Sequence, residues 1–159
     1  MNVIAVQPDS EARRLLAGAQ FMDAFSIMID DATLDARGAA ERIFASTPRW
    51  TRTLMAARDV IVTPFGLKTE KIARAAVNRV GLFPVLSETP ARLVAGLDDS
   101  HLDFRVLIAL SEAGPRRRVT VTTVVLTHNF LGRAYLAIIT PFHRVIVRAL
   151  LRQVRQPAA

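Results

Sequence analysis

The chain has 159 residues, the length of one domain spanning 1–159, and no cysteine, which excludes disulfides and thiolate metal sites and favours a cytoplasmic setting. It carries 21 basic and 14 acidic residues, a net charge of +7 and a pI of about 11.3, a balance that turns attention to acidic partners. The charge is one-sided: Ala113 to Ala159 holds eight arginines and no acid, while the first 112 residues hold 13 basic and 14 acidic side chains. Nineteen of the 21 basic residues are arginine in a chain rich in Ala and Val, which a GC-rich genome would produce without any selection for binding. The mean hydropathy, +0.27, is high for a soluble protein. A membrane span needs about 20 apolar residues, and the longest candidate, Ala134 to Leu151, is broken by Pro141, His143, Arg144 and Arg148. Met1 to Pro8 has no basic n-region and too short an apolar run for a signal peptide.

In chain order, Asp9-Ser10 caps a short helix, Glu11 to Ala17, stopped by Gly18. Ala24 to Asp30 alternates, with Phe25, Ile27 and Ile29 on one side, and reads as a strand. A helix runs from Asp35 to about Phe44. Thr47-Pro48 starts another, with Trp50, Leu54, Ala57 and Ile61 on one face, and Thr69-Glu70 opens one more to Arg79. From Gly81 the period changes to two. Strands are expected at Phe83–Glu88 and Arg92–Leu97 around a turn at Thr89-Pro90. A longer one carries Leu102, Phe104, Val106, Ile108 and Leu110 on one face; after the Gly114-Pro115 turn, another carries Val119, Val121, Thr123 and Val125. Short turns between neighbouring strands imply an antiparallel sheet.

His128-Asn129 leads into the last helix. At about 100° per residue, Leu131, Tyr135, Ile138, Ile139, Phe142, Ile146, Ala149 and Leu150 fall on one side, and Arg133, Arg144, Arg148, Arg152 and Arg155 on the other. Pro141 removes the backbone bond to the Ala137 carbonyl, so a kink is expected. The fold class that results is α+β and helix-grip-like: a curved antiparallel sheet packed on a long C-terminal helix. A gap between the two would be an apolar pocket.

Several motifs are familiar together: Thr47 to Trp50, Arg58-Asp59, Gly66-Leu67-Lys68, His101 to Val106, Thr123-Val124-Val125, His128-Asn129, Leu131-Gly132-Arg133, Tyr135-Leu136 and Pro141 to Arg144. They resemble the bacterial DUF2867 family over about residues 18–154, most specifically from His128 to Arg144. The resemblance implies a fold akin to the START-like (SRPBCC) helix-grip superfamily, whose members often hold apolar ligands. It supplies no activity and no catalytic residues. Relatives fused behind NAD(P)-binding domains are also implied, but this chain contains no G-x-G-x-x-G, and no cofactor is expected.

The expected cavity wall consists of Phe104, Val106, Val121, Thr123, Tyr135, Ile138, Phe142 and Ile146, with Trp50 near the mouth. It would take a small apolar or amphipathic molecule, hydrogen-bonded by Tyr135 or His143. The same cavity could serve a cyclase or isomerase with His143 as base, which needs a second polar group converging on it. The bland alternative is a boundary histidine bonded to a carbonyl. Asn129 reads first as a helix cap and second as part of an anion site with Arg133. Arg133, Arg144, Arg148 and Arg152 could instead meet an anionic surface, such as a membrane contacted peripherally, or be merely solvated. His101, Asp103 and Arg105 share a strand face and are expected to be exposed, while a two-sided sheet would instead make Asp103 and Arg105 a buried pair. Three scattered histidines and no H-E-x-x-H give no metal motif, and few aromatics accompany the arginines of the helix and of Arg116-Arg117-Arg118, so nucleic acid is not favoured.

Overall fold

The computed structural model describes residues 2–45, 49, 78–81 and 83–157. The helices expected from Thr47 and Thr69, and with them Trp50, fall outside this set apart from Arg49, Asn78 and Arg79, and Arg79, the expected end of the second, lies in a strand. Among the described residues seven strands, β1 (Ile4–Val6), β2 (Phe21–Ile29), β3 (Arg79–Val80), β4 (Phe83–Glu88), β5 (Arg92–Asp98), β6 (Leu102–Ala113) and β7 (Arg116–Thr127), form one sheet in the order β1-β2-β7-β6-β5-β4-β3. Every neighbouring pair is antiparallel. Among the described residues three helices accompany it: α1 (Ser10–Arg14), α2 (Ala36–Phe44) and α3 (Phe130–Arg152), the last continued by a 3-10 turn at Gln153–Arg155. This is the expected α+β class, a curved antiparallel sheet with a long C-terminal helix laid against it.

Local chemistry sets the helix starts. Asp9 and Asp35 stand in extended conformation before α1 and α2, and their carboxylates accept from the amides of Ala12 and Gly38 at 2.8 and 2.7 Å. Asn129 does the same for α3, taking the Gly132 amide at 3.0 Å. α1 is shorter than expected, and β2 begins at Phe21 rather than Ala24. The edge strand β1 was not anticipated: three residues carry too little alternation to stand out. At the β6–β7 hairpin Gly114 adopts a φ of +65°, a conformation that costs glycine nothing.

The register sorts the sheet into two faces. Phe25, Val121, Ile108 and Leu93 stand side by side across β2, β7, β6 and β5, and so belong to one inner face. That face is buried under α2, through Ala36, Ala39, Ala40 and Ile43, and under the end of α3, through Leu151 and Val154. The outer face has its own smaller core, where Val94, Leu107 and Val124 are covered by Ala12 and Leu16. Each fully buried Leu, Ile or Val contributes about 1.5–3 kcal/mol.

α3 is rotated relative to the wheel expected for it. His143, Leu136, Ile139, Val147 and Leu150 are all half-buried, and by wheel arithmetic they lie within about 40° of one line. That line is roughly 90° from the centre of the apolar arc formed by Leu131, Tyr135, Ile138, Phe142 and Ile146. Ile138 and Phe142, expected on the inner wall, are 52% and 45% exposed, and Val145 is 55% exposed. Two contacts explain the rotation. Gly132 passes so close to the β5–β6 turn that an added Cβ would stand 2.1 Å from the His101 carbonyl oxygen, which fixes the first turn. At the other end Leu151 is 0% exposed in the core with α2. α3 continues through Pro141, and the carbonyl one residue before the freed one, that of Leu136, accepts from Thr140 Oγ1 at 2.6 Å.

Candidate functional site

The inner face is apolar along β2 except at one place. Asp23 shares it with Phe21, Phe25 and Ile27 and stands opposite Thr123 of β7. From α3, His143 reaches down to it, with Nε2 3.2 Å from Asp23 Oδ1. Both side chains are largely withdrawn from water, at 13% exposure for Asp23 and 18% for His143. The edge of the imidazole also meets Phe21, with ring centroids 5.7 Å apart.

The chemistry of the pair follows from its donors and acceptors. An ionised carboxylate only accepts, so the imidazole presents its Nε2–H to Asp23, and in its neutral form that leaves the Nδ1 lone pair open. Nδ1 makes no hydrogen bond among the described residues. The second carboxylate oxygen, Asp23 Oδ2, is buried and has no hydrogen-bond partner among the described residues. Such an oxygen costs about 1–3 kcal/mol, or more when charged. With the imidazole neutral, the pair offers two acceptor positions at the boundary between sheet and helix.

The residues expected around it divide. Phe104, Val106, Val121 and Thr123 share the inner face, Phe104 against Phe83 at 5.1 Å between centroids and the other three buried. Tyr135 and Ile146 are half-buried on α3. Ile138 and Phe142 are exposed instead, for the reason given above. Asp23 was missed because the strand was read from Ala24. Its signal was present: a carboxylate in step with Phe21, Phe25 and Ile27 on the apolar face of a strand.

Two other polar groups have structural roles. At the start of α3, Asn129 Oδ1 takes the Gly132 amide, so its Nδ2 can only donate, here to His101 Nδ1 at 2.9 Å. The Arg133 amide bonds to the Asn129 carbonyl, so the first turn is already capped. On the outer face Asp103 and Arg105 are half-buried rather than exposed, and they pair elsewhere: Asp103 with His128 at 2.9 Å, Arg105 with Asp98 at 2.6 Å. The hairpin arginines are also engaged, Arg116 with Asp30 at 2.9 Å and Arg117 with the Leu34 carbonyl. On α3, Arg148 lays its guanidinium over the Phe25 ring at 5.0 Å, while Arg133, Arg144 and Arg152 are exposed. Among the described residues no group of three or more His, Cys, Asp or Glu is arranged to hold a metal ion.

No curated protein matches this sequence. Among solved structures the chain is similar to the crystal structure of CalU16 from Micromonospora echinospora, with 12% identity over 82% of this chain and 83% of that one, at a TM-score of 0.32. That superposition is too loose to carry anything further. The sequence profile of a family described as a protein of unknown function matches residues 15–150, which takes in both members of the Asp23–His143 pair, and the chain belongs to that family, DUF2867.

Proposed function

We propose that the protein binds a small amphipathic molecule between the inner sheet face and α3, with its polar end on Asp23 and His143. The observation that carries this reading is the buried Asp23 Oδ2, without a hydrogen-bond partner among the described residues, on an otherwise apolar strand face. A ligand hydroxyl or N–H donated to that oxygen would recover the desolvation cost, and the ligand's apolar body would gain about 25 cal/mol for each Å² it removes from water. Phe104, Val106, Val121, Thr123, Tyr135 and Ile146 are the proposed surroundings. The test is native mass spectrometry of the protein purified from its own host, with extraction of whatever it retains. A stoichiometric apolar adduct carrying a hydrogen-bond donor, absent from the Asp23→Val/His143→Leu variant, is the expected result. An adduct held equally by the variant would remove the pair from the site. Wild type that carries nothing would sink the reading if the double substitution also destabilises the fold, because the pair would then be structural; a buried pair kept for a ligand is replaced by apolar residues at no cost or with a gain of about 1–4 kcal/mol.

A second reading is favoured by one feature, the open Nδ1 of His143. With Asp23 holding the ring, Nδ1 is placed to act as a general base in an isomerase- or cyclase-type reaction. Deuterium from heavy water should then enter the retained molecule in the presence of wild type but not of His143→Ala. Equal labelling in both would leave binding alone.

A further inference from the structure

We infer that α3 is also a docking surface for an anionic lipid bilayer, on which the protein lies without crossing it. The helix has three sides. One faces the sheet through Leu136, His143, Val147 and Leu150. A second is an exposed apolar strip, Leu131, Ile138, Phe142 and Val145, of which all but Leu131 are about half exposed. The third carries Arg133, Arg144 and Arg152. By the same wheel arithmetic Arg152 lies within about 20° of Val145, so the arginine side borders the apolar strip directly.

Charge complementarity selects the occupant. A second protein seated on the strip would need acids opposite these arginines, and a second copy of this chain cannot supply them from the same region: Ala113 to Ala159 contains none. An isologous contact would bring arginine against arginine. A bilayer with anionic headgroups satisfies both sides at once, with apolar side chains entering the acyl boundary and the long arginine stems reaching the phosphates.

The helix lies on the bilayer instead of spanning it. Phe130–Arg155 is long and apolar enough to cross by length and composition. But Leu151 and Val154 are locked in the core with α2, and His143 is bonded to Asp23 of the sheet, so crossing would dismantle the inner face.

The test uses the whole protein and sedimentation with sucrose-loaded vesicles, either phosphatidylcholine alone or phosphatidylcholine mixed with phosphatidylglycerol. Binding is expected on the mixed vesicles at low salt, weakening as salt rises and absent on phosphatidylcholine alone. Arg144→Gln/Arg152→Gln should weaken it about thirtyfold. Ile138→Glu/Val145→Glu should abolish it while circular dichroism and the melting temperature stay as in wild type, since both side chains are exposed. No binding by wild type to mixed vesicles at low salt overturns the inference. So does binding that survives Ile138→Glu/Val145→Glu, which would place the contact elsewhere. Light scattering supplies the third arm: a wild-type dimer that becomes monomeric in the same variant would assign the strip to a second copy.

Discussion

Two stretches of α3 behave oppositely. Near the C-terminus Leu151 is 0% exposed, as is Val154 just beyond, both packed with Ala36, Ala39, Ala40 and Ile43 of α2. About two to four turns earlier, Ile138, Phe142 and Val145 are just as apolar and stand in solvent. Periodicity establishes that a helix is amphipathic. Which arc it buries is decided by fixed contacts, here a glycine at one end and a core at the other.

The largest effect should come from the anchored end. Leu151→Ala removes a fully buried side chain and should destabilise the fold by about 2–5 kcal/mol, read as a lower urea midpoint with the slope unchanged. A loss below about 1 kcal/mol would mean the end of α3 frays without consequence and that the Asp23–His143 contact orients the helix instead.

That anchor has a polar accessory whose effect is smaller and depends on pH. Arg42 of α2 bonds to the Val154 carbonyl at 3.4 Å and to the Asp31 carboxylate at 2.9 Å. Hydrogen bonds from Thr33, and then from Arg42, hold Asp31 below its ordinary 3.8. Arg37 does the same to Glu88, ordinarily 4.5, clipping α2 to β4. A depressed carboxylate stabilises the fold above its ordinary value, and the contribution is lost as pH falls through the lowered one. The melting temperature should therefore drop below about pH 4, and Arg42→Gln should shrink that drop. The same acid limb in wild type and variant would show that the pair adds nothing to the anchor. The effect is expected to be small because both ion pairs are solvent-accessible.

The strands and helix caps were legible because their signals are local. Alternation marks β4 to β7, and Asp9, Asp35 and Asn129 each act within three residues of themselves. Half of the candidate site was legible as well: His143 is conspicuous on an apolar helix. Asp23 was not, because its meaning depends on β2 starting at Phe21 and pairing with β7, a partner about a hundred residues away. The rotation of α3 was hidden for a related reason. The wheel ranks arcs by apolarity, and the contact that turns the helix belongs to Gly132, which has no hydrophobicity to rank and acts through a backbone oxygen of His101.

Phe142 offers the smallest effect and the sharpest check on that rotation. Were it core, as the apolar arc alone suggests, Phe142→Ala would cost about 3–5 kcal/mol. At 45% exposure the ring has lost only part of its contact with water, so its removal should cost less than about 1 kcal/mol. Part of even that is offset, because alanine favours a helix over phenylalanine by about half a kcal/mol. The urea midpoint should therefore hardly move in Phe142→Ala, while Leu151→Ala, nine residues on, shifts it strongly. Comparable losses in both variants would return α3 to the orientation that apolarity alone predicts, bury Ile138 and Phe142 against the sheet, and take His143 off Asp23, removing the site and the lipid-facing strip together.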